Sequence, residues 1–408
     1  MHVLFLAPHF PANQPRFVYA LKAAGAMVTG IGDCAASSLP DGIRNALDGY
    51  EQVRSLGDVD AVTEAVQRVQ RRGPWVDRLE ATVEAHMLIA AVARQRTGIP
   101  GLSANTVNLC RDKFEMKRAL TRQGIPCARH AAVDDADGAR AALRHVGLPA
   151  ILKPRDGAGA AHTYRLDSAE DLERAIKETG LDQRPSAFTM ESFISGHEGF
   201  VDTLTVNGEV VFEGICHYYP NVLEAMRTRW ISPQIVITNR LDAPGYTQLR
   251  AFARKVIGGL GITTSATHME WFYGDGGLVF SEIGARPPGC CLWDLYCEAN
   301  DFDLYRAWAD AIVHRRSAPK PSRRFAAGLI SIRPDADGVI KGYTGLDRVA
   351  SKYGDNIFRS HIQPVGSHTA PVGSGYLGHS WFWVKHPDYD VCRAILDDIG
   401  RTVHCHAG

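Results

Sequence analysis

Two strand-like segments on either side of a tight glycine turn constrain the fold of this chain more than any other feature. Residues 264–273 and 278–284 alternate apolar with polar side chains and flank the glycine-rich turn 274–277. This is the pattern of a β-hairpin with one buried face. If the turn leaves three residues unpaired, Glu270 lies directly opposite Glu282, and the two carboxylates share one face.

The same alternation predicts what surrounds the two acids. It places His268 on the carboxylate face, together with Gly284 and the following Arg286. The opposite, apolar face is predicted to consist of Met269, Trp271, Val279 and Ile283. Like charges placed opposite one another are destabilising unless a cation or water separates them. Magnesium prefers one or two carboxylates together with substrate phosphates, so the pair is a candidate magnesium site.

A plainer interpretation of this hairpin stays open at this point. The two acids are then unrelated surface groups on a solvated hairpin. A shift in register by one residue puts Glu270 and Glu282 on opposite faces, and the hairpin alone does not decide between these possibilities.

The charge balance narrows the classes of partner. The 408 residues contain 45 Lys plus Arg and 45 Asp plus Glu, so there is no electrostatic case for nucleic acid or an anionic membrane. No uncharged apolar stretch approaches the roughly 18 residues of a membrane helix, and the start lacks a basic leader. Nine cysteines form no CxxC framework, which is typical of reduced thiols. We therefore expect a cytoplasmic protein whose partners are small molecules.

The pattern of elements divides the chain into three parts. Residues 1–104 alternate strands with helices and predict an α/β domain with a parallel sheet. Residues 105–315 change to strands joined by tight turns, including a two-residue hairpin signal at Asn207-Gly208, which indicates an α+β region. A basic, proline-containing link then leads into residues 316–408, which are predicted to be short strands with a final helix.

A glycine-rich loop at residues 155–161 contains Gly157 and Gly159 and nearly matches GxGxxG. A dinucleotide-binding loop must run from a strand directly into a helix, whereas this loop joins two strand-like segments. A glycine hairpin that holds phosphates with its backbone N–H groups suits these residues better. Lys153 precedes the loop and Lys113 lies near the start of an earlier helix, although an ordinary surface position is the commoner role of a single lysine.

In order, type and spacing, these motifs resemble the ATP-grasp superfamily over residues 105–289. The resemblance implies an ATP-grasp fold that combines α/β and α+β parts. It places an N-terminal Rossmann-like, pre-ATP-grasp domain in front and a strand-rich portion behind. It also implies that Lys113 and Lys153 contact phosphates and that the loop with Gly157 and Gly159 acts as a mobile cover.

The resemblance further implies roles for acids and for the hinge. The segment that contains Glu191 and Ile194 is similar to the hinge that reads the adenine of ATP, and Glu198 matches the ribose-binding glutamate. The strands with Glu270 and Glu282 resemble the two metal-binding strands, which hold Mg²⁺ or alternatively Mn²⁺.

The implied activity is that of a carboxylate-amine ligase, similar to the L-amino-acid ligases. Such an enzyme activates a carboxylate as an acyl phosphate and couples it to an amine, releasing ADP and phosphate. Arg286 and His268 are the expected catalytic residues at the substrate. Their alternative roles are a salt bridge from Arg286 to Glu282 and the orientation of Glu270 by His268. A homodimer is one option for the oligomeric state.

One departure from the family pattern keeps other functions open. Many members have an asparagine ligand where this chain has Gly284, so the number of bound metal ions is undecided. A grasp-fold module that binds ATP without turnover is one alternative, and a carboxylating enzyme similar to biotin carboxylase is another. The residues do not identify the acid, the amine or the pathway.

Overall fold

The structure is a computed structural model that describes residues 1–157 and 162–408. Its first unit is a parallel sheet of four strands in the order β3, β2, β1, β4, with helices packed against it. All five residues of β1 are buried, as expected for a parallel strand covered on both faces. The elements are β1 His2–Leu6, α1 Gln14–Ala23, β2 Met27–Gly32, α2 Asp41–Ala46, β3 Gly49–Gln52, α3 Val59–Arg72, β4 Arg78–Glu80 and α4 Glu84–Thr97.

A second, smaller sheet follows and has its own apolar core. Its strands are antiparallel in the order β5, β8, β6, β7. The helix α6 begins at Lys113 because the Asp112 carboxylate accepts hydrogen bonds from the backbone N–H groups of Phe114 and Glu115. The elements are α5 Ala104–Leu109, α6 Lys113–Thr121, β5 His130–Val133, α7 Ala136–Val146, β6 Ala150–Pro154, β7 Tyr164–Leu166, α8 Ala169–Thr179 and β8 Phe188–Ser192.

The largest layer is an eight-stranded antiparallel sheet in the order β13, β12, β9, β10, β11, β14, β17, β16. A two-stranded sheet of β15 and β18 lies beyond it. The elements are β9 His197–Val206, β10 Glu209–Tyr219, α9 Val222–Ala225, β11 Gln234–Ile237, α10 Pro244–Gly259, β12 Ser265–Gly274, β13 Gly277–Gly284, α11 Leu292–Asn300, α12 Leu304–His314, β14 Ala326–Ile332, β15 Ile340–Thr344, α13 Leu346–Tyr353, β16 Ile357–His361, β17 Ser380–His386, α14 Tyr389–Thr402 and β18 His404–Ala407.

The large sheet crosses the predicted boundary at residue 315. Strands on both sides of this position belong to it, because β11 pairs with β14 and β14 pairs with β17. Residues 105–315 and 316–408 therefore share one sheet, and the division of the chain into three domains stays a prediction.

Local turn chemistry agrees with the sequence at the joint between β9 and β10. Asn207 and Gly208 connect these strands with φ values of 52° and 85°. Both angles are positive, as a type I′ hairpin turn requires.

Among the residues that the structure describes, no helix has the length and apolar character needed to cross a membrane.

A close approach between β10 and α11 generates a testable prediction. A Cβ added to Gly214 would lie 2.1 Å from the ring of Tyr296, which is fully buried. Gly214→Ala is expected to lower the free energy of unfolding by about 1–3 kcal/mol because the packed ring has to move. Urea denaturation measures this change. The matched control is Gly245→Ala on α10, where a Cβ meets no atom, and an equal loss in both variants would contradict the prediction.

Candidate active site

A cavity of about 460 Å³ lies between the small sheet and the carboxylate hairpin of the large sheet. Most of the residues predicted from the sequence for the functional site line this cavity. The predicted residues that line it are Lys113, Lys153, Gly157, Glu191, Ile194, Glu198, Glu270 and Glu282. Gly159, which was predicted for the same site, lies outside the described residues.

The carboxylates of the hairpin form the floor of this site. Glu270 on β12 lies directly opposite Glu282 on β13, as expected. The reason differs from the predicted three-residue turn. Gly274 pairs with Gly277, and a β-bulge at Ser281 supplies the extra residue. In a regular hairpin with this two-residue turn, Ser281 would face Glu270 and the second acid would point to the other side.

The bulge also changes the predicted apolar face. Between the turn and the bulge the alternation is displaced by one residue, so Phe280 pairs with Trp271 and is fully buried. Val279, which was expected in the core, is only half-buried. Beyond the bulge, Met269 and Ile283 are buried as predicted.

Lysine side chains neutralise the acid on β13. The Nζ atom of Lys113 lies 3.6 Å from Oε2 of Glu282 and donates a hydrogen bond of 2.8 Å to the carbonyl oxygen of Gly157. Burial alone raises the pKa of Glu282, but the charges of Lys113 and Lys153 outweigh it and lower this pKa to about 2. Glu282 is therefore ionised at neutral pH.

A further lysine connects the two sheets beneath the cavity. Lys117 on α6 is fully buried, and its Nζ atom lies 3.0 Å from Oε1 of Glu191. It also donates to the carbonyl oxygen of the bulge residue, Ser281. Lys153 lies 3.1 Å from the other carboxylate oxygen of Glu191. Burial raises the pKa of Glu191, but the two lysines outweigh it, so the pKa is lowered.

No role was predicted for Lys117, although the sequence contained a signal. Lys113, Lys117 and Leu120 follow the i, i+4, i+7 spacing of one helix face, and all three are buried. A lysine on the buried face of a helix requires an acidic partner. In this structure the carboxylate of Glu191 pairs with the two lysines. The adenine contact predicted for Glu191 stays a prediction.

The predicted ribose and adenine residues lie along the same cavity. Glu198 on β9 is buried and accepts a hydrogen bond of 2.7 Å from the backbone N–H of Val222. Burial, reinforced by the charge of Glu270, raises the pKa of Glu198 to about 8. A protonated carboxyl can donate as well as accept hydrogen bonds. Ile194 contributes an apolar wall.

His268 is held beside the carboxylates by an acid that was not predicted. Its Nδ1 lies 2.7 Å from Oδ1 of Asp202, and its Nε2 lies 3.8 Å from Oε1 of Glu270. The hydroxyl group of Tyr296 donates to Asp202 at 2.7 Å. Burial alone lowers the pKa of His268, but Asp202 and Glu270 raise it to about 9. The ring of His268 is therefore an imidazolium at neutral pH. In the sequence, the only local indication of the His268–Asp202 pair was an acid within the apolar strand β9.

Arg286 is anchored by the N-terminal unit. Its Nε donates a hydrogen bond of 2.7 Å to Oε2 of Glu84 on α4, and its Nη1 donates to the carbonyl oxygen of Pro287 at 2.9 Å. The salt bridge to Glu282, considered from the sequence, is replaced by this pair. Glu84 is a site residue that the sequence did not indicate, because it lies 202 positions from its partner.

The ion pair occupies the space above Gly284. A Cβ built on this glycine would lie 3.2 Å from Oε2 of Glu84 and 3.3 Å from Cγ of Arg286. The asparagine that the family pattern places here would therefore require the Glu84 or Arg286 side chain to shift by a few tenths of an ångström. The absence of a side chain at Gly284 thus leaves the space that the Arg286–Glu84 ion pair occupies.

The residues of this face fit a magnesium ion that arrives with a nucleotide. Within residues 1–157 and 162–408, no group of three or more His, Cys, Asp and Glu side chains is arranged to hold a metal ion. Glu270 and Glu282 lie opposite each other and offer two carboxylates with hard oxygen ligands. Magnesium is usually held by one or two carboxylates plus substrate phosphates, which matches this donor set.

The buried lysine generates a testable prediction. Lys117→Met is expected to lower the free energy of unfolding by about 3–5 kcal/mol, because it removes one of the cations that compensate the buried Glu191. Adding Glu191→Gln to this variant should recover part of the loss, since the buried acid is then uncharged. Urea denaturation of both single variants and the double variant measures the coupling. Strictly additive losses would show that the contact does not stabilise the fold.

The chain is similar in sequence to a family of known domains and to known ligases. A family model described as the ATP-grasp domain matches residues 118–302. The L-arginine-specific L-amino acid ligase of Bacillus subtilis is 27% identical over 302 residues, which cover 72% of this chain and 71% of that protein. The alanine–anticapsin ligase of Bacillus subtilis is 26% identical over 216 residues, covering 48% of this chain and 45% of the relative. The match thus spans about half the length of the latter.

Solved structures agree over nearly the whole chain. An L-amino acid ligase from Bacillus licheniformis has a TM-score of 0.77 at 18% identity, covering 100% of this chain and 98% of that one. The N5-carboxyaminoimidazole ribonucleotide synthetase of Thermotoga maritima has a TM-score of 0.69 at 17% identity, covering 100% and 99%. These likenesses confirm the predicted fold. Together with the family match, they place an ATP-grasp domain in residues 118–302 and relate this chain to ATP-dependent carboxylate-amine ligases.

Proposed function

We propose that this protein activates the carboxylate of an amino acid, or of a similar metabolite, as an acyl phosphate. It then couples the acyl group to an amine and releases ADP and phosphate. The observation that carries this proposal is the arrangement of charges around one cavity, where Glu270 and Glu282 face Lys113 and Lys153. Acids that bind a cation and lysines that bind phosphate are the two requirements of phosphoryl transfer from ATP.

The lysines are proposed to hold the triphosphate. Burial alone lowers the pKa of Lys153, but Glu191 and Glu282 outweigh it and raise this pKa, so the side chain stays an ammonium group. Lys113 and Lys153 are both paired with acids before the nucleotide binds. ATP therefore meets charges that are already desolvated and oriented, which reduces the reorganisation that binding requires. Magnesium or manganese, held by Glu270 and Glu282, would supply charge neutralisation at the transferred phosphoryl group.

The nucleoside is proposed to lie along β8 and β9. Ile194 is the candidate contact for adenine, with Glu191 in the same hinge, and Glu198 is the candidate for ribose. Gly157 and Gly159 are proposed to place backbone N–H groups against the phosphates. A closed glycine loop would exclude water from the acyl phosphate.

His268 and Arg286 are proposed to act on the carboxylate substrate. The γ-phosphoryl group passes from ATP to a carboxylate oxygen, which yields ADP and the acyl phosphate. The amine nitrogen then attacks the acyl carbon, the bond to the phosphate oxygen breaks, and the nitrogen loses a proton. The imidazolium of His268 lies next to Glu270, where it would balance negative charge that develops on the substrate. The guanidinium of Arg286, fixed by Glu84, offers a fork that suits a carboxylate or phosphate.

The relatives support amino acids as the substrate class. Their names describe an L-arginine-specific L-amino acid ligase and a ligase that joins alanine to anticapsin. We propose that this chain likewise joins small-molecule carboxylates to amines, with an amino acid on at least one side of the new bond.

The function is tested by incubating the protein with ATP, magnesium and a pool of amino acids. We expect amide or dipeptide products by mass spectrometry, together with amino-acid-dependent release of ADP and phosphate. Glu282→Ala should lower ADP release by at least about 100-fold, since it removes one of the two metal-binding carboxylates. Chelation of divalent cations should have the same effect on the unmodified protein.

The matched control is Glu64→Ala, which removes an exposed acid on α3 and should leave activity unchanged. Full activity of Glu282→Ala would overturn the metal assignment. Nucleotide binding without amino-acid-dependent ADP release would instead indicate a binding module. ADP release that depends on bicarbonate would indicate a carboxylating enzyme.

A further inference from the structure

Two arginines and a tyrosine form a group of polar side chains that the mechanism above does not use. Arg229 lies between α9 and β11, Arg333 directly follows β14, and Tyr376 lies in the segment before β17. We call these three residues the donor cluster. Arg333 meets the segment of Arg229 directly, because its Nη1 donates to the carbonyl oxygen of Thr228, the residue before Arg229. Tyr376 is close enough to influence the pKa of Arg333, which is lowered mainly by burial.

Several hydrogen-bond donors of the donor cluster have no partner. Arg333 is only 6% exposed, and its Nη1 donates to the carbonyl oxygen of Thr228 at 2.7 Å. Its Nε and Nη2 find no acceptor within the described residues, and the same holds for Nη1 of Arg229 and the hydroxyl group of Tyr376. A buried donor without an acceptor is destabilising, so a ligand or bound water is expected there.

The charge of the donor cluster favours an anion. Its two guanidinium groups have one acidic partner in the described structure, Asp337, which pairs with Arg229. The adjacent His379 adds no charge, because burial and the two arginines lower its pKa to about 4. An excess positive charge with free planar donors matches a carboxylate, which guanidinium groups bind through paired hydrogen bonds.

The donor cluster borders the nucleotide cavity. Thr228, whose carbonyl oxygen holds Arg333, also lines that cavity. The ring of Tyr376 stacks on Tyr218 with centroids 6.2 Å apart. Burial raises the pKa of Tyr376, and the charges of Glu198 and Glu270 raise it further. The donor cluster is thus near the face that carries Glu270 and Glu282, on the side where β14 ends and β17 begins.

The donor cluster is separate from the groups proposed to bind phosphate. Arg229, Arg333 and Tyr376 are not among the residues that line the cavity, whereas Lys113, Lys153, Glu270 and Glu282 are. A carboxylate that receives the phosphoryl group has to lie at the acids and lysines. A carboxylate bound by Arg333 would lie beside that position.

We propose that the donor cluster binds the carboxylate of the amine-bearing substrate, an amino acid whose amino group attacks the acyl phosphate. This inference rests on the proposed function and extends it to the second substrate. In an α-amino acid the amino group is two bonds from the carboxylate carbon, so anchoring the carboxylate beside the acyl phosphate directs the nitrogen toward it. The unpartnered donors are buried here, so the side chains that cover them have to move when the substrate binds.

The test separates acid activation from amine binding. Hydroxylamine carries no carboxylate, and it traps an acyl phosphate as a hydroxamate with release of phosphate. Arg333→Met is expected to leave hydroxamate formation from the amino-acid pool within about twofold of the unmodified protein. Amide formation with amino acids as the amine should fall by about 10- to 100-fold in kcat/KM, the effect of losing a charged hydrogen bond. Amino-acid amides should be poor amines for both proteins, because they lack the carboxylate.

Conservative variants guard against loss of folding. Arg333→Lys keeps the charge but loses the fork, and Tyr376→Phe removes only a hydroxyl group. Both should raise the KM for the amine-bearing amino acid and leave hydroxamate formation unchanged. The matched control is Arg316→Met, which removes an exposed arginine and should alter neither reaction.

Three outcomes would overturn the inference, and they are distinguishable. Equal losses of hydroxamate and amide in Tyr376→Phe and Arg333→Lys would assign the donor cluster to the acid or to folding. A normal KM for the amine in all three cluster variants would also exclude it. If the unmodified protein forms neither hydroxamate nor amide, the proposed function fails instead, and the inference fails with it.

Discussion

Buried acids and lysines neutralise one another where the two antiparallel sheets meet, and the rest of the site depends on this contact. Lys117 bridges Glu191 on the small sheet and the bulge residue Ser281 on the large sheet. Each of these charges would cost several kcal/mol to bury alone, and the cost is offset only when acid and base lie together. Glu191 also pairs with Lys153 in the cavity, so one group of buried charges both joins the sheets and lines the site.

Three separate parts of the chain contribute to one face. The small sheet supplies Lys153, the large sheet supplies the carboxylates, and the N-terminal unit reaches across with Glu84 to hold Arg286. This division explains why the glycine at position 284 is compatible with the site. The space above it is taken by a side chain from a different unit, so a larger residue fits only if that side chain shifts.

Local features were predicted well because their causes are local. The turn at Asn207-Gly208 follows from backbone conformations that few residues tolerate, and the start of α6 follows from its capping aspartate. The pairing of Glu270 with Glu282 was also predicted, although the turn is one residue shorter than expected. Side chains whose partners lie far along the chain were missed. Asp202 and Glu84 have no neighbour in sequence that reveals what they bind.

By itself, the sequence determined the fold family and the set of chemical groups available for a nucleotide site, because glycine turns, alternation and motif order are properties of short segments. The tertiary structure decided how those groups are used. The bulge at Ser281 puts both acids on one face, and it depends on how β13 pairs with β12. Likewise, the charge states of Glu282 and His268 are set by lysines and acids from other elements. Electrostatic interactions in a buried site depend on distance in space, which the order of residues does not specify.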